Sequence, residues 1–245
     1  MPAVREVLWT WALVTGATIG LSLLGRLPAF ADHVGLAVGA LFLCTALHMS
    51  GRQPEGVRRH GLSLAGLLEP PEHEPTGLRG SLLDLGRALL SALPSAAREL
   101  GFALLVALIV FPPFVGGFYL FHGPSRSFAL ALPDELPGYV ASQLLIVGLP
   151  EEALFRGYVQ SRLSEGLGRE RRLLGATLSW PAWLLQAALF ALIHFAVDLA
   201  PARLAVFFPA LLFGWLRARR GGIGASAAFH ALCNLLSDVL VRSWL

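Results

Sequence analysis

Residues 151–156 read Glu151-Glu152-Ala153-Leu154-Phe155-Arg156: two adjacent carboxylates and an arginine inside a stretch otherwise apolar enough to enter a membrane. A charged side chain at the centre of a bilayer costs roughly 2.5–3.5 kcal/mol even on insertion scales. Three such residues on about one and a half helical turns therefore need partners of their own. Two later apolar segments supply partners of the right chemistry. Phe190-Ala191-Leu192-Ile193-His194 ends on one histidine, and His230-Ala231-Leu232-Cys233-Asn234 carries a second with an asparagine one turn on.

The whole chain suits such an environment. It has 245 residues, 55% of them hydrophobic and only 14% charged, with a mean hydropathy of +0.64. A soluble domain carries about 25% charged residues. An all-α, polytopic transmembrane bundle of about seven to eight spanning helices follows. The net charge of +3 comes from arginines spread between apolar runs rather than from one basic face, which argues against nucleic acid as a partner. Cys44 and Cys233 both lie in apolar runs and read as small buried hydrophobes, without metal-binding spacing. The first apolar run is long enough to span, and no small-residue cleavage site follows it, so a cleaved signal peptide is not expected.

Spans are expected at 7–25, 34–50, 100–122, 138–160, 177–199, 203–216 and 223–243, the second and sixth being short. Arginines collect in alternate connections: Arg52, Arg58, Arg59, Arg79, Arg87 and Arg98, then Arg162, Arg169, Arg171 and Arg172, then Arg217, Arg219 and Arg220. The other connections carry Arg26 with Asp32, Arg126 with Asp134 and Glu135, and Asp198 with Arg203. The positive-inside rule then puts the N-terminus in the cytoplasm and the C-terminus outside, in an inner-membrane protein. Two regions are expected: N-terminal spans over 1–130 and a catalytic helical core over 131–245. Within 51–99, Pro70, Pro71 and Pro75 break the chain, and Leu82, Leu83, Leu85, Leu89, Leu90 and Leu93 make an apolar stripe on a helix. That helix either lies on the inner membrane surface or packs on the bundle.

Successive helical residues point about 100° apart, so Glu151 and Glu152 face different targets. Glu152 and Arg156 are spaced i,i+4 with the acid first, the favourable order for an ion pair, which leaves Glu151 for something else. Pro150 frees a backbone carbonyl, so a locally irregular helix is expected there, lining a cavity rather than lipid. His230 and Asn234 share one helix face. Together the three segments hold what amide hydrolysis needs: a carboxylate to take a proton from water, a histidine to position that water, and N–H donors for an oxyanion. One feature fits poorly. On these boundaries His194 sits nearer the outer face and His230 nearer the inner, a difference approaching ~10 Å at about 1.5 Å per residue. An interfacial entry at Trp180-Pro181-Ala182-Trp183 that moved the fifth span later would close it.

Glu151-Glu152-x-x-x-Arg156, Phe190-x-x-x-His194 and His230-x-x-x-Asn234, in that order and in successive apolar helices, resemble the three motifs of the CPBP family. That family comprises CAAX prenyl endopeptidases and the bacterial bacteriocin-processing, or Abi, proteins. The resemblance covers roughly 138–243. It implies a glutamate-dependent intramembrane endopeptidase without a cofactor or required metal. By the same resemblance Glu151 would be the general base and His194 would orient the water. His230 and Asn234 would hold the oxyanion, with Glu152, Arg156 and Phe190 in support. The arginine-, alanine- and leucine-rich usage with no lysine suggests a bacterial chain. Bacterial relatives process peptides, leaders or C-terminal sorting tails, the myxosortase-like branch among them. The expected partners are the bilayer and a membrane-associated or lipidated peptide substrate.

Three other readings stand beside this one. Two histidines and a carboxylate are a legitimate zinc set, although no HExxH helix is present. Ser226 in Gly224-Ala225-Ser226-Ala227 faintly resembles a rhomboid serine, but His230 lies on the same helix. Buried ionisable residues also mark transport pathways or scaffolds.

Overall fold

The computed structural model describes residues 2–67, 77–125 and 127–245, with side chains omitted over 77–83. Pro70, Pro71, Pro75 and Arg126 lie outside the described residues, as do the side chains of Arg79, Leu82 and Leu83. The fold is an α-helical bundle with one small hairpin. Helices α1 (Pro2–Leu24) and α2 (Val34–Gly51) form an antiparallel pair, followed by a single turn, α3 (Gly56–Arg59). Helix α4 runs unbroken from Gly77 to His122. The expected amphipathic helix and third span are therefore one element. Pro94, Pro112 and Pro113 lie within it, each removing a ladder hydrogen bond without ending the helix. Glu99 to His122 alone covers about 35 Å at 1.5 Å per residue, enough for a hydrocarbon core of about 30 Å. The part before Glu99 therefore extends past that core, with Leu85, Leu89, Leu90 and Leu93 exposed along one side.

The motif with the paired carboxylates sits on one long helical run made of α5 (Leu136–Ser142), a π-helical stretch Gln143–Gly148, α6 (Leu149–Glu152), a second π-helical stretch Ala153–Val159, and α7 (Gln160–Leu167). The irregularity expected at Pro150 thus extends over two widened turns, one on each side of the glutamates. Such turns cluster at functional positions. All seven residues of Ala153–Val159 are buried, so the run forms the centre of the bundle rather than its lipid face. Two glycines let neighbouring helices close on it. A Cβ at Gly39 of α2 would lie 2.5 Å from the Ile146 carbonyl oxygen, and one at Gly148 would lie 3.1 Å from that of Ala227.

Strands β1 (Glu170–Leu173) and β2 (Ala176–Ser179) form an antiparallel hairpin with Glu170 opposite Ser179. Helix α8 (Trp180–Asp198) follows, with Pro181 in its first turn. The fifth span therefore begins at 180 and not at 177, because the chain is still paired as a strand at 176–179. A 3₁₀ stretch (Pro201–Val206) leads into α9 (Phe207–Arg220), and α10 (Gly224–Trp244) closes the fold. The sixth expected span thus starts later, as α9.

Among the described residues, five helices are long and apolar enough to cross a membrane: Pro2–Leu24, Ala31–Gly51, Asp84–His122, Trp180–Asp198 and Gly224–Trp244. The run 136–167 and α9 are not among them, the first because it is charged and divided by π turns, the second because it is short. Both nevertheless pass between the same two ends as the five. At one end Arg162 bonds Glu6, Arg59 bonds Glu165 and Arg220 bonds Glu99. At the other, the Ala129 amide donates to the Ser243 carbonyl. The chain is an integral membrane protein with an arginine-rich end. Its main core joins α1, α2, the central run and α8, and a second cluster joins α4, α9 and α10 around Phe213 and Phe229.

Candidate active site

Glu152 and Arg156 face inward and are fully buried, with Arg156 Nη1 2.9 Å from Glu152 Oε1. The i,i+4 ion pair expected from sequence is present. The guanidinium also lies 4.2 Å from the ring centre of Phe190 and 4.9 Å from that of Phe213, so aromatic faces share the charge where water does not reach. Glu152 has a second partner: His230 Nδ1 is 3.0 Å from the same Oε1. A carboxylate only accepts, so Nδ1 carries the proton and Nε2 points away from Glu152. Phe213 stacks on the His230 ring at 4.8 Å and 17°, fixing its plane.

Glu151 turns to another side, with 15% of its side chain exposed. Its Oε2 is buried with no hydrogen-bond partner. Two imidazole nitrogens flank that oxygen: His194 Nε2 at 3.9 Å and His230 Nε2 at 3.8 Å. His194 Nδ1 is 2.8 Å from the Phe190 carbonyl oxygen, which takes its proton and leaves Nε2 toward the carboxylate. The depth mismatch inferred from span boundaries is thereby resolved. His194 lies one turn before the end of α8, His230 lies in the second turn of α10, and the two helices are staggered along the bundle so that both rings meet at Glu151.

The structure brings Glu151, Glu152, Arg156, Phe190, His194 and His230 into one cluster. Asn234, one turn after His230 on the same helix face, bonds a residue that the sequence did not single out: its Nδ2 donates to Gln143 Oε1 at 2.8 Å. Gln143, an amide in an otherwise apolar segment, carried the same signal as the glutamates in weaker form. Phe213 carried none, being one apolar residue among many in α9. Ser226 is buried, and its hydroxyl donates to the Ile223 carbonyl, a local helix bond that leaves it outside the cluster.

A cleft of about 340 Å³ reaches Glu151 and His194. Val38, Phe42, Ile146, Ile193 and Val197 supply apolar walls, and the Asp198–Arg203 ion pair stands where α8 ends. A carboxylate oxygen without a partner, beside two ring nitrogens and at the end of an apolar cleft, is equipped to take a proton from water and to handle an extended apolar chain. Among the described residues no group of three or more His, Cys, Asp or Glu has the geometry to hold a metal ion.

No curated protein and no solved structure matches the chain. Residues 133–236 match the model of the Rce1-like family, described as type II CAAX prenyl endopeptidase Rce1-like. The matched segment contains all three motifs and the whole central run. Over residues 133–236 the chain is thus similar to the Rce1-like, CAAX-type (CPBP) family of membrane endopeptidases.

Proposed function

We propose that this protein hydrolyses a peptide bond of a membrane-associated protein or peptide within the bilayer, using water activated by Glu151. The observation that carries the proposal is the unpartnered Glu151 Oε2 with a histidine Nε2 on either side, at 3.8 and 3.9 Å. In this reading Glu151 takes a proton from a water that also hydrogen-bonds His194 Nε2. The oxygen adds to the scissile carbonyl carbon, and the resulting oxyanion is held by His230 and Asn234. Collapse breaks the C–N bond, and the amine leaves with the proton held by Glu151, giving a new carboxylate and a new amino terminus.

His230 donates from Nε2 only when both ring nitrogens carry protons. Two carboxylates, Glu151 and Glu152, face it across the ring, while Arg156 is the one fixed cation. Glu152, itself paired with Arg156, holds that ring through Nδ1. Asn234 has two amide protons, of which Gln143 takes one. The apolar cleft favours an extended or lipidated segment, such as a C-terminal sorting tail, over a water-soluble peptide. The bias of arginines toward one end favours a cytoplasmic N-terminus in a bacterial inner membrane.

The test compares protein termini by mass spectrometry in cells carrying the wild type and Glu151→Gln at matched expression. Termini present only with the wild type would support the protease and read out its cleavage sequence. Identical termini alongside an unchanged cellular phenotype would replace it with a scaffold or transport role. A second arm adds a chelator: loss of cleavage restored by zinc would convert the two histidines and Glu151 into metal ligands.

A further inference from the structure

A second cleft, of about 190 Å³, lies at the arginine-rich end between α7, the hairpin and α9. Its lining is polar where that of the first is apolar: Arg59, Arg217, Ser161, Ser164 and Thr177 with Glu170. Arg217 is the unusual member. Its Nη2 donates to the Arg59 carbonyl at 3.2 Å and to Ser161 Oγ at 2.8 Å, both neutral oxygens. Its Nε is buried with no partner. The neighbouring cations are matched: Arg59 by Glu165 at 2.8 Å, and Arg162 by Glu6 at 3.1 Å and Glu165 at 2.8 Å. Among the described residues no carboxylate lies within ion-pair distance of Arg217, and Glu170 is exposed on the hairpin.

A guanidinium withdrawn from water without a counter-charge is costly, and burial is offset only when an anion or enough hydrogen bonds satisfy it. Here the donors are already arranged for one. Ser161 Oγ accepts from Arg217, which leaves its own proton available to donate. Thr177 adds another hydroxyl, and Arg59 is half-exposed at the rim. Two guanidinium groups with hydroxyl donors are the chemistry that binds a phosphate group. The cleft also lies at the arginine-rich end of the bundle, near Arg59, Arg162 and Arg217.

We propose that this cleft is a binding site for a phosphate-bearing anion, with Arg217 as its centre and Arg59 and Ser161 as its rim. It is independent of the reading of Glu151. The same chemistry serves an anionic phospholipid headgroup or a free phosphate compound, and the experiment separates them. The purified full-length protein is placed in nanodiscs of phosphatidylcholine alone, and in nanodiscs containing phosphatidylglycerol. Inorganic phosphate is titrated into the first set, and thermal unfolding is followed in both. Stabilisation by phosphatidylglycerol and not by phosphate identifies the headgroup. Stabilisation by inorganic phosphate in phosphatidylcholine identifies a free phosphate ligand.

Arg217→Gln is expected to weaken the stabilising ligand about tenfold or more, the worth of one charge-assisted hydrogen bond. Arg59→Gln, at an exposed position that tolerates replacement, is expected to act in the same direction and keeps the test valid if Arg217→Gln folds poorly. Arg172→Gln, on the exposed hairpin strand, is expected to change binding by less than about twofold. No stabilisation by either ligand would overturn the proposal. So would an effect that Arg59→Gln leaves intact, or one that Arg172→Gln reduces as much as Arg59→Gln does, since that marks a diffuse basic surface.

Discussion

Helix α4 and the central run 136–167 cross the same bundle by opposite means. Asp84–His122 is the most apolar of the five candidate spans, yet its side chains face outward: Leu108 is 74% exposed, Ile109 75% and Leu120 82%. The central run carries Glu151, Glu152 and Arg156, and it encloses Glu152 and Arg156 completely. Hydropathy therefore marks contact with lipid, not depth in the protein. Charge is tolerated in the central run because neighbouring helices supply partners at fixed distances, whereas the exposed face of α4 around Leu108, Ile109 and Leu120 meets none of them.

The largest expected effect is at Glu151, whose unpartnered Oε2 is flanked by the ring nitrogens of His194 and His230. Glu151→Gln keeps the shape and removes the base, so cleavage should fall by roughly 10²–10⁴-fold with the thermal midpoint little changed. A variant that retained full cleavage would make Glu151 a structural charge like its neighbour. Arg156→Ala should cost about 3–5 kcal/mol, because it strands Glu152 in a buried site. Adding Glu152→Gln to that variant should recover part of the loss in a denaturation assay, and no recovery would mean that the pair is not what stabilises the run.

Asn234→Ala should lower the rate by about 10²–10³-fold with little effect on substrate affinity, as removal of an oxyanion donor does. Gln143→Ala should act in the same direction but less, since Gln143 positions Asn234 and does not reach the reacting atoms; a Gln143→Glu variant that keeps the acceptor should restore part of the rate. On α4 the contrast is strongest. Leu108→Ala should change stability by less than about 0.5 kcal/mol, because it removes lipid contact without opening a cavity.

The smallest effect concerns His60, at the end of α3 and outside the spans. It is buried against Ser50 Oγ, and that burial holds its imidazolium form below the usual value of 6.5. A depressed folded-state value means that the neutral ring stabilises the fold above about pH 6.5, and that this contribution is lost as the pH falls further. Wild type should therefore lose more thermal stability on acidification than His60→Gln. Parallel pH curves for the two would remove His60 from the account.

Much of the site was legible in the residues. Charges in an apolar run require partners, and the i,i+4 spacings of Glu152 with Arg156 and His230 with Asn234 follow from helix geometry alone. The alternation of arginines likewise anticipates helices running between two ends. Span boundaries were less legible. The sequence at 177–199 reads as uniformly apolar, whereas 176–179 is a strand in a hairpin and the helix starts at Trp180. The division of 79–122 into two helices also failed, because a proline at position 94 weakens a helix without stopping it.

The sequence by itself determined that this is a membrane bundle, which residues carry charge within it, and which pairs share a helix face, since these depend on composition and on the 3.6-residue repeat. Only the tertiary structure decided that His194 and His230 converge on one oxygen of Glu151, that Glu152 is shared between Arg156 and His230, and that Phe213 and Gln143 complete the surroundings. Those contacts depend on the axial stagger of α8 and α10 and on the phase shift introduced by two π turns. The stagger is not a property of any one helix, because it depends on how neighbouring backbones pack, as where Gly148 lets α10 approach at Ala227.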